Sequence, residues 1–348
     1  MMMKNNTAPT TRNMDFKQAR FAKKDEFFTS LGDIELELEH YIEHFQGKVV
    51  YCNCDDPRES NFFRYFSENF HRLGLKKIIT TCYRSQDPDL FMKNESGKAV
   101  YLEYSGEKRG DQIPNAEVIG IKQLSGDGDF RSSESVALLE QADIVVTNPP
   151  FSLFNEYVAQ LVKYNKKFVI IGNMNAVTYK NIFPLIQTNK IWYGPSIRSG
   201  DREFRVPDDY PLTAAGSRID EQGNKYVRVK GVRWFTNLDY PSRYVDLVLE
   251  NTYSPDKYPK YANFDAIDVG KSKDIPKDYS GAMGVPITFL DKFNPEQFEI
   301  LGSSKTLSRP MSQIAAKGTY QPGGPRFYLP NGDGTYRRMY ERIIIKKK

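Results

Sequence analysis

The sequence predicts an α/β fold with a mostly parallel sheet and helices on both of its faces. Short runs rich in Val and Ile, such as 49–52, 144–147 and 168–171, alternate with segments whose apolar residues recur at helical spacing. Such runs are typical of buried strands, and a spacing of i, i+3 and i+4 is typical of helices. Strands that alternate with helices favour a parallel sheet whose crossover connections cover both faces.

The first half of the chain shows this alternation most clearly. Residues 1–20 are polar and have no periodicity, so we expect a disordered tail there. Ser30 is a predicted N-cap, because its hydroxyl can accept a backbone N–H from the first turn of a helix. We predict helices at 33–42, 60–70, 133–141, 154–163 and 177–187, and strands at 48–54, 77–83, 98–104, 142–148 and 167–172.

The chain becomes basic and rich in turns after about residue 190. Residues 191–348 contain 25 Lys and Arg against 19 Asp and Glu, and they are rich in Tyr, Phe, Pro and Gly. This mixture is typical of a surface that meets a polyanion, although a solvated face explains it as well. We predict one domain over 21–190 and a smaller β-rich and loop-rich region over 191–348, with strands at 190–193, 225–235, 246–250 and 336–345.

The composition argues against several classes of protein. No apolar run is long enough to cross a bilayer, and the N-terminus is polar, so we expect a cytoplasmic protein without a membrane partner. The three cysteines are Cys52, Cys54 and Cys82, an odd number that argues against a disulfide framework. Cys-x-Cys is not the usual zinc-binding pair and no second pair follows, so we expect no metal.

The segment Asn148-Pro149-Pro150-Phe151 carries the chemistry. It directly follows the predicted strand, which must end at Asn148 because proline has no amide hydrogen to give to a sheet. Two prolines make the loop stiff, and ligands of α/β proteins bind beyond the carboxyl ends of the strands. A plain turn is the alternative, since asparagine and proline are both turn formers.

An amine conjugated to an aromatic ring, such as that of adenine, is a poor nucleophile. If the Asn148 side-chain oxygen and the Pro149 carbonyl accept its hydrogens, the lone pair is freed, and both oxygens stabilise the positive charge that develops on nitrogen. Phe151 can stack on the ring of a base that has been flipped out of a duplex. Coming between a Val/Ile strand and a helix, the loop favours a methyltransferase.

Asn148-Pro149-Pro150-Phe151 matches the (Asp/Asn)-Pro-Pro-(Phe/Tyr) motif of amino-methyltransferases that use S-adenosylmethionine. Together with the segments 24–29, 54–57, 60–62 and 128–130, the chain resembles the EcoRI-type adenine-specific DNA methyltransferase family. The resemblance implies a Rossmann-like methyltransferase sheet, S-adenosylmethionine as cofactor, and double-stranded DNA as the partner of a C-terminal target-recognition region. It leaves open whether a restriction endonuclease accompanies the enzyme.

The resemblance also implies roles for individual residues. Phe27, Phe28 and Thr29 would border the methionine part of the cofactor, with Asp55, Asp56 and Pro57 near it, and Asp129 and Phe130 would flank its adenine. Two departures from the family pattern stand out. The usual glycine-rich loop is replaced by 55–60, and no acid follows the second strand directly. Asp87 could hold the ribose, although a plain surface turn explains it as well.

Two other functions share parts of this pattern. One is methylation of an RNA base or a protein glutamine amide, although such enzymes typically keep a glycine loop. The other is an inactive methyltransferase fold that only binds nucleic acid, which the intact Asn148 and Phe151 disfavour. For DNA binding we expect arginines that read guanine or contact phosphate, and Trp234 as a stacking residue. The candidates are Arg198, Arg202, Arg205, Arg228, Lys230, Arg233 and Trp234.

Overall fold

A computed structural model describes residues 27–54, 56–83, 99–107, 115–198, 200–206, 210, 212 and 216–348. The predicted disordered tail at 1–20 lies outside these residues. The described residues divide into two compact units. The first contains residues up to 176 together with 196–238, and the second contains 177–195 together with 239–348.

The strands are numbered β1 to β17 in chain order. They are β1 Val49–Asn53, β2 Lys77–Thr81, β3 Val100–Tyr104, β4 Lys122–Gln123, β5 Ile144–Thr147, β6 Lys167–Asn173, β7 Trp192–Tyr193, β8 Asp201–Val206, β9 Arg218–Ile219, β10 Lys225–Lys230, β11 Val232–Thr236, β12 Ile267–Asp268, β13 Met283–Pro286, β14 Phe298–Ser303, β15 Tyr328–Pro330, β16 Tyr336–Arg338 and β17 Arg342–Lys347.

The α-helices are numbered α1 to α7 in the same way. They are α1 Leu31–Leu38, α2 Asn61–Glu68, α3 Ala116–Ile119, α4 Ser133–Gln141, α5 Phe154–Lys163, α6 Phe183–Gln187 and α7 Ser304–Leu307. The hydroxyls of Ser30, Ser60 and Ser132 cap the first turns of α1, α2 and α4. The predicted cap at Ser30 is therefore confirmed, as are the bounds of α4 and α5.

The first unit is built on a mixed sheet with a parallel centre. Its strands lie in the order β4-β3-β2-β1-β5-β6-β11. The four central strands β2, β1, β5 and β6 are parallel, and β3, β4 and β11 add antiparallel edges. All residues of the strands β1 and β5 are buried, as is typical of the centre of a parallel sheet. This architecture confirms the predicted α/β class.

The predicted domain boundary at residue 190 differs from the division seen in the structure. The reason is that residues 196–238 return to the first unit. There β11 pairs antiparallel with β6, and Trp234 lies opposite Ile171. The backbone N–H of Ser196 also donates to the buried carboxylate of Glu37 at 2.9 Å.

The predicted strand at 225–235 is two strands in two different sheets. Gly231 separates them with a φ of +68°, a conformation that glycine adopts without a Cβ clash. Strand β10 belongs to a three-stranded sheet ordered β8-β10-β9, whereas β11 joins the central sheet. One β-like run therefore contributes strands to two sheets, because the backbone turns at Gly231 between them.

Two further predictions differ from the structure. The predicted helix at 177–187 is a 3₁₀ turn over Met174–Thr178 followed by the short α6, which has Pro184 in its first turn. The predicted strand at 246–250 has no regular secondary structure and does not pair with any described strand. The side-chain amide of Gln297 instead bonds both the N–H and the carbonyl of Leu247, each at 2.8 Å.

The second unit has its own sheet and core. Four strands lie in the order β12-β13-β17-β14, and β15 pairs with β16 as a hairpin. The predicted strand at 336–345 therefore corresponds to β16 and β17, which belong to different sheets. A core cluster is formed by Tyr261, Ala266, Phe327, Leu329 and Ile344.

Candidate active site

The candidate site lies at the carboxyl ends of β1 and β5. These strands are parallel neighbours, with Val50 opposite Ile144 and Tyr51 opposite Val145. The chain runs from β1 to β2 on one side and later adds β5 on the other, so the strand order reverses between β1 and β5. Such a reversal opens a crevice in which α/β proteins bind their ligands.

The first residue after β5 is Asn148, which is 9% exposed. Its side-chain Nδ2 donates to the carbonyl oxygen of Phe27 at 2.8 Å and to the hydroxyl of Thr29 at 3.2 Å. Its Oδ1 is buried and has no hydrogen-bond partner among the described residues. A buried acceptor normally has a partner, so this oxygen is available to a ligand donor.

The next three residues of the motif, Pro149, Pro150 and Phe151, leave the sheet as a loop that leads into α5. The ring of Phe151 is 7% exposed and lies 5.5 Å from the ring of Phe27. Phe27 also contacts Phe204 at 5.5 Å and Tyr210 at 6.4 Å between ring centroids. The rings of these four residues form an aromatic wall that lies beside the amide of Asn148.

The loop after β1 begins with a residue in an unusual conformation. Cys54 has a φ of +71°, in the left-handed region that glycine normally occupies. Asp56 accepts the backbone N–H of Arg58 at 2.9 Å, and Pro57 is buried. Asp55 lies outside the described residues. The loop thus makes the sharp turn without the glycine that the family pattern uses there.

The segment 128–130 approaches the end of β2 closely. A Cβ on Gly128 would lie 2.2 Å from the carbonyl oxygen of Cys82, and its φ is +76°, so only glycine fits. Asp129 forms an ion pair with Arg131 at 2.7 Å, and this bond raises the pKa of Arg131. The ring of Phe130 is buried and lies 5.0 Å from the ring of Tyr157. Asp87 lies outside the described residues.

A buried network beneath these loops was not predicted. The hydroxyl of Thr147 donates to the backbone carbonyl of Asn53, and the hydroxyl of Tyr157 donates to the Asn53 side-chain oxygen. Asn53 and Tyr157 are 3% and 0% exposed. Polar residues at strand ends are a signal in the sequence, but their pairing across β1, β5 and α5 requires the fold.

Comparison with known proteins decides the family. The family model described as "Adenine-specific methyltransferase EcoRI" matches residues 15–348. The chain belongs to this family. It is 50% identical over 316 residues to the Type II methyltransferase M.EcoRI of Escherichia coli, an alignment that covers 90% of this chain and 96% of that protein.

Two mycoplasma relatives are also similar along their length. M.MgeORF184P of Mycoplasma genitalium and M.MpnI of Mycoplasma pneumoniae, both named Type II methyltransferases, are each 36% identical. Each alignment covers 96% of this chain and 98% of the relative. This EcoRI-type chain is therefore an adenine-specific methyltransferase. A protein glutamine amide as acceptor and an inactive binding fold both disagree with that family.

Five of the candidate DNA-binding residues of this EcoRI-type methyltransferase lie on or beside the three-stranded sheet. Arg198, Arg205, Arg228 and Lys230 are exposed, and Arg202 is half-buried. Arg202 lies 3.3 Å from Asp33, and Arg228 lies 3.0 Å from Asp201. The pair of the exposed Arg228 with Asp201 contributes little to stability, as is usual for ion pairs at the surface.

The other two candidates are not on the surface. Trp234 is 0% exposed, and its ring packs edge-on against Phe62 at 6.2 Å. Arg233 is 3% exposed and donates to the carbonyl oxygens of Val232 and Arg198, each at 2.8 Å. Both belong to β11, whose pairing with β6 buries them, so the expectation that they contact DNA is wrong for this structure.

The positive charge of the back half is concentrated in residues 304–348. These carry ten Lys and Arg against two Asp and Glu, a signal that a finer charge count would have shown. Arg326 and Arg342 are paired with Glu341 and Asp268. The exposed basic side chains of this segment include Arg309, Lys317, Arg337, Lys346 and Lys348. Tyr340 is 88% exposed beside them in sequence.

Two absences concern the part of the chain that the structure describes. It contains no group of three or more His, Cys, Asp or Glu side chains placed to hold a metal ion. It also contains no helix that is long and apolar enough to span a membrane.

Proposed function

We propose that this chain transfers a methyl group from S-adenosylmethionine to the exocyclic N6 amine of an adenine that is flipped out of double-stranded DNA. The observation that carries the proposal is the buried Oδ1 of Asn148, an acceptor without a partner among the described residues. It lies in the sequence Asn-Pro-Pro-Phe, at the carboxyl end of β5, in a chain of the EcoRI-type family.

The Asn148 oxygen and the Pro149 carbonyl accept the two hydrogens of the adenine amine. These contacts draw the nitrogen toward tetrahedral geometry and stabilise the positive charge that develops there, an effect worth roughly 3 kcal/mol for one such contact. The site needs no strong general base, because the methylated amine is acidic enough to lose its proton to water.

The crevice between β1 and β5 fits S-adenosylmethionine. Cys54 provides the left-handed turn after β1, and Gly128 packs against the carbonyl oxygen of Cys82 after β2, so both loops lie at the carboxyl ends of neighbouring strands. Residues 27–29, 55–57 and 129–130 would hold the cofactor. When bound, the cofactor would supply a methyl group that is activated by its bond to a positively charged sulfur.

The aromatic wall beside Asn148 supports a flipped base. Extruding an adenine costs a few kcal/mol, and stacking on an aromatic ring returns about 1–3 kcal/mol per base. Phe151, with Phe27 at 5.5 Å behind it, is held by packing and so loses little freedom when a base arrives. The exposed basic residues of 304–348 provide the charge for phosphate contacts.

The names of the relatives suggest a partner. All three are called Type II methyltransferases, a class that belongs to restriction-modification systems. By that analogy we propose that a restriction endonuclease with the same target accompanies this enzyme.

Incubation with tritiated S-adenosylmethionine and genomic DNA that lacks adenine methylation tests the function. We expect DNA to become labelled, and long-read sequencing to place N6-methyladenine at one recurring sequence. Parallel reactions with structured RNA and with a protein extract distinguish the acceptor classes. Label in RNA but not in DNA would contradict the proposal.

A further inference from the structure

The segment Phe27-Phe28-Thr29, which we call the strap, holds the amide of Asn148 in one orientation. The Phe27 oxygen belongs to a backbone carbonyl, which can only accept a hydrogen bond. The Asn148 atom 2.8 Å from it must therefore be the nitrogen, and the Thr29 hydroxyl at 3.2 Å lies near the same nitrogen. With the nitrogen held there, Oδ1 is the atom left for the substrate.

The strap is itself fixed by two hydrogen bonds and by burial. The N–H of Phe28 donates to the carbonyl of Arg205 at 2.9 Å, which ties the strap to β8. The side chain of Asn61, the first residue of α2, donates to the Thr29 carbonyl at 2.7 Å. Thr29 is only 4% exposed. The Thr29 hydroxyl is therefore held in place as an acceptor before a substrate binds.

We infer that Thr29 is a positioning residue for Asn148, and that the strap explains why this chain carries Asn and not Asp at the first position of the motif. The inference rests on the proposed methyl transfer. An aspartate at 148 has two acceptor oxygens, one of which would face the Phe27 carbonyl oxygen at the 2.8 Å now spanned by a hydrogen bond. Two acceptors at that separation repel, so the carboxylate would turn out of the geometry that activates the amine.

A second role for Thr29 must be separated from this one. The family resemblance places the strap beside the methionine part of the cofactor, so loss of the hydroxyl could instead weaken cofactor binding. A positioning role lowers kcat at saturating substrates and leaves binding unchanged, because it acts on the transition state alone. A cofactor contact raises the Kd for S-adenosylmethionine.

The substitution Thr29→Val removes the hydroxyl and keeps the shape of the side chain. We expect kcat to fall about tenfold, the equivalent of one lost hydrogen bond, while the KM for DNA and the calorimetric Kd for S-adenosylmethionine stay within about twofold. Thr29→Ser restores the acceptor and should return most of the rate. Thr188→Val, at an exposed threonine after α6, is the matched control.

The substitution Asn148→Asp tests the second half of the inference. We expect a loss of kcat of about a hundredfold or more, with unchanged cofactor binding, even though aspartate serves at this position in other amino-methyltransferases. A Thr29→Val enzyme with unaltered kcat, a raised cofactor Kd at normal kcat, or a fully active Asn148→Asp enzyme would each overturn the inference. Failure of the proposed function is distinct, since the unaltered enzyme would then label no DNA.

Discussion

The hydroxyl of Thr147 donates a hydrogen bond to the backbone carbonyl of Asn53, which joins the carboxyl ends of β5 and β1. One strand leads into the Asn-Pro-Pro-Phe loop and the other into the loop at Cys54. The bond therefore fixes the spacing between the loop proposed to bind the acceptor amine and the loop proposed to bind the methyl donor. Methyl transfer needs this spacing, because misplaced reactants lose rate steeply.

The substitution Tyr157→Phe tests the network around that bond. It leaves the buried side-chain oxygen of Asn53 without its donor, so we expect a loss of about 1–3 kcal/mol in the free energy of unfolding. Urea denaturation measures this loss, and calorimetry should show weaker binding of S-adenosylmethionine. Tyr104→Phe is the control, because Tyr104 bonds only the Glu107 carbonyl in the described residues. Equal stability of both variants would contradict the role of the network.

Glu37 predicts how stability depends on pH. Burial raises its pKa from 4.5 to about 7, against the opposing hydrogen bonds from Ser196 and Tyr41. The folded state therefore holds this proton up to about pH 7, while the unfolded chain loses it near 4.5. The free energy of unfolding should fall as pH rises between these values, by at most about 3 kcal/mol from this group.

The substitution Glu37→Gln removes the titrating group and keeps its shape. We expect the variant to lack this decline between about pH 4.5 and 7 and to be more stable than the unaltered protein at pH 8. Urea denaturation of both proteins at pH 5 and pH 8 gives the comparison. The same pH slope in both would show that Glu37 is not its source.

Arg337 tests the basic segment 304–348 as a DNA-binding surface. The substitution Arg337→Ala should weaken binding to all duplexes alike and reduce the slope of log K against log salt concentration by about 0.9, the value for one lost phosphate contact. Fluorescence anisotropy at several salt concentrations measures the slope. Arg64→Ala, which removes an exposed arginine that pairs with Glu68 on α2, should leave it unchanged. An unchanged slope for Arg337→Ala would exclude this contact.

The fold of the first unit could be predicted largely from local patterns. Apolar runs predict β1, β2, β5 and β6, and the capping serines indicate where helices begin. The return of β11 to the central sheet could not be read in this way, because it depends on a turn at Gly231 and a partner strand far away in the sequence. The sequence therefore suggested that Trp234 stacks on DNA, whereas its side chain is buried in the core.

In the candidate site, too, some features follow from local sequence patterns and others depend on distant contacts. Asn148 and Phe151 were recognisable because the motif follows a strand directly. The orientation of the Asn148 amide depends on a carbonyl and a hydroxyl more than a hundred residues earlier, and no local pattern specifies that pairing. Likewise, the charge of the back half was visible, but which arginines are paired or buried depends on the fold.

Methyl transfer by the variant Asn148→Ala tests the central claim most directly. With tritiated S-adenosylmethionine and DNA that contains the mapped target, the account predicts loss of at least about a hundredfold in turnover, since an acceptor for the reacting amine is removed. DNA affinity, measured by anisotropy, should stay within about twofold. Substantial turnover in Asn148→Ala, with the protein folded and DNA bound, would contradict the account.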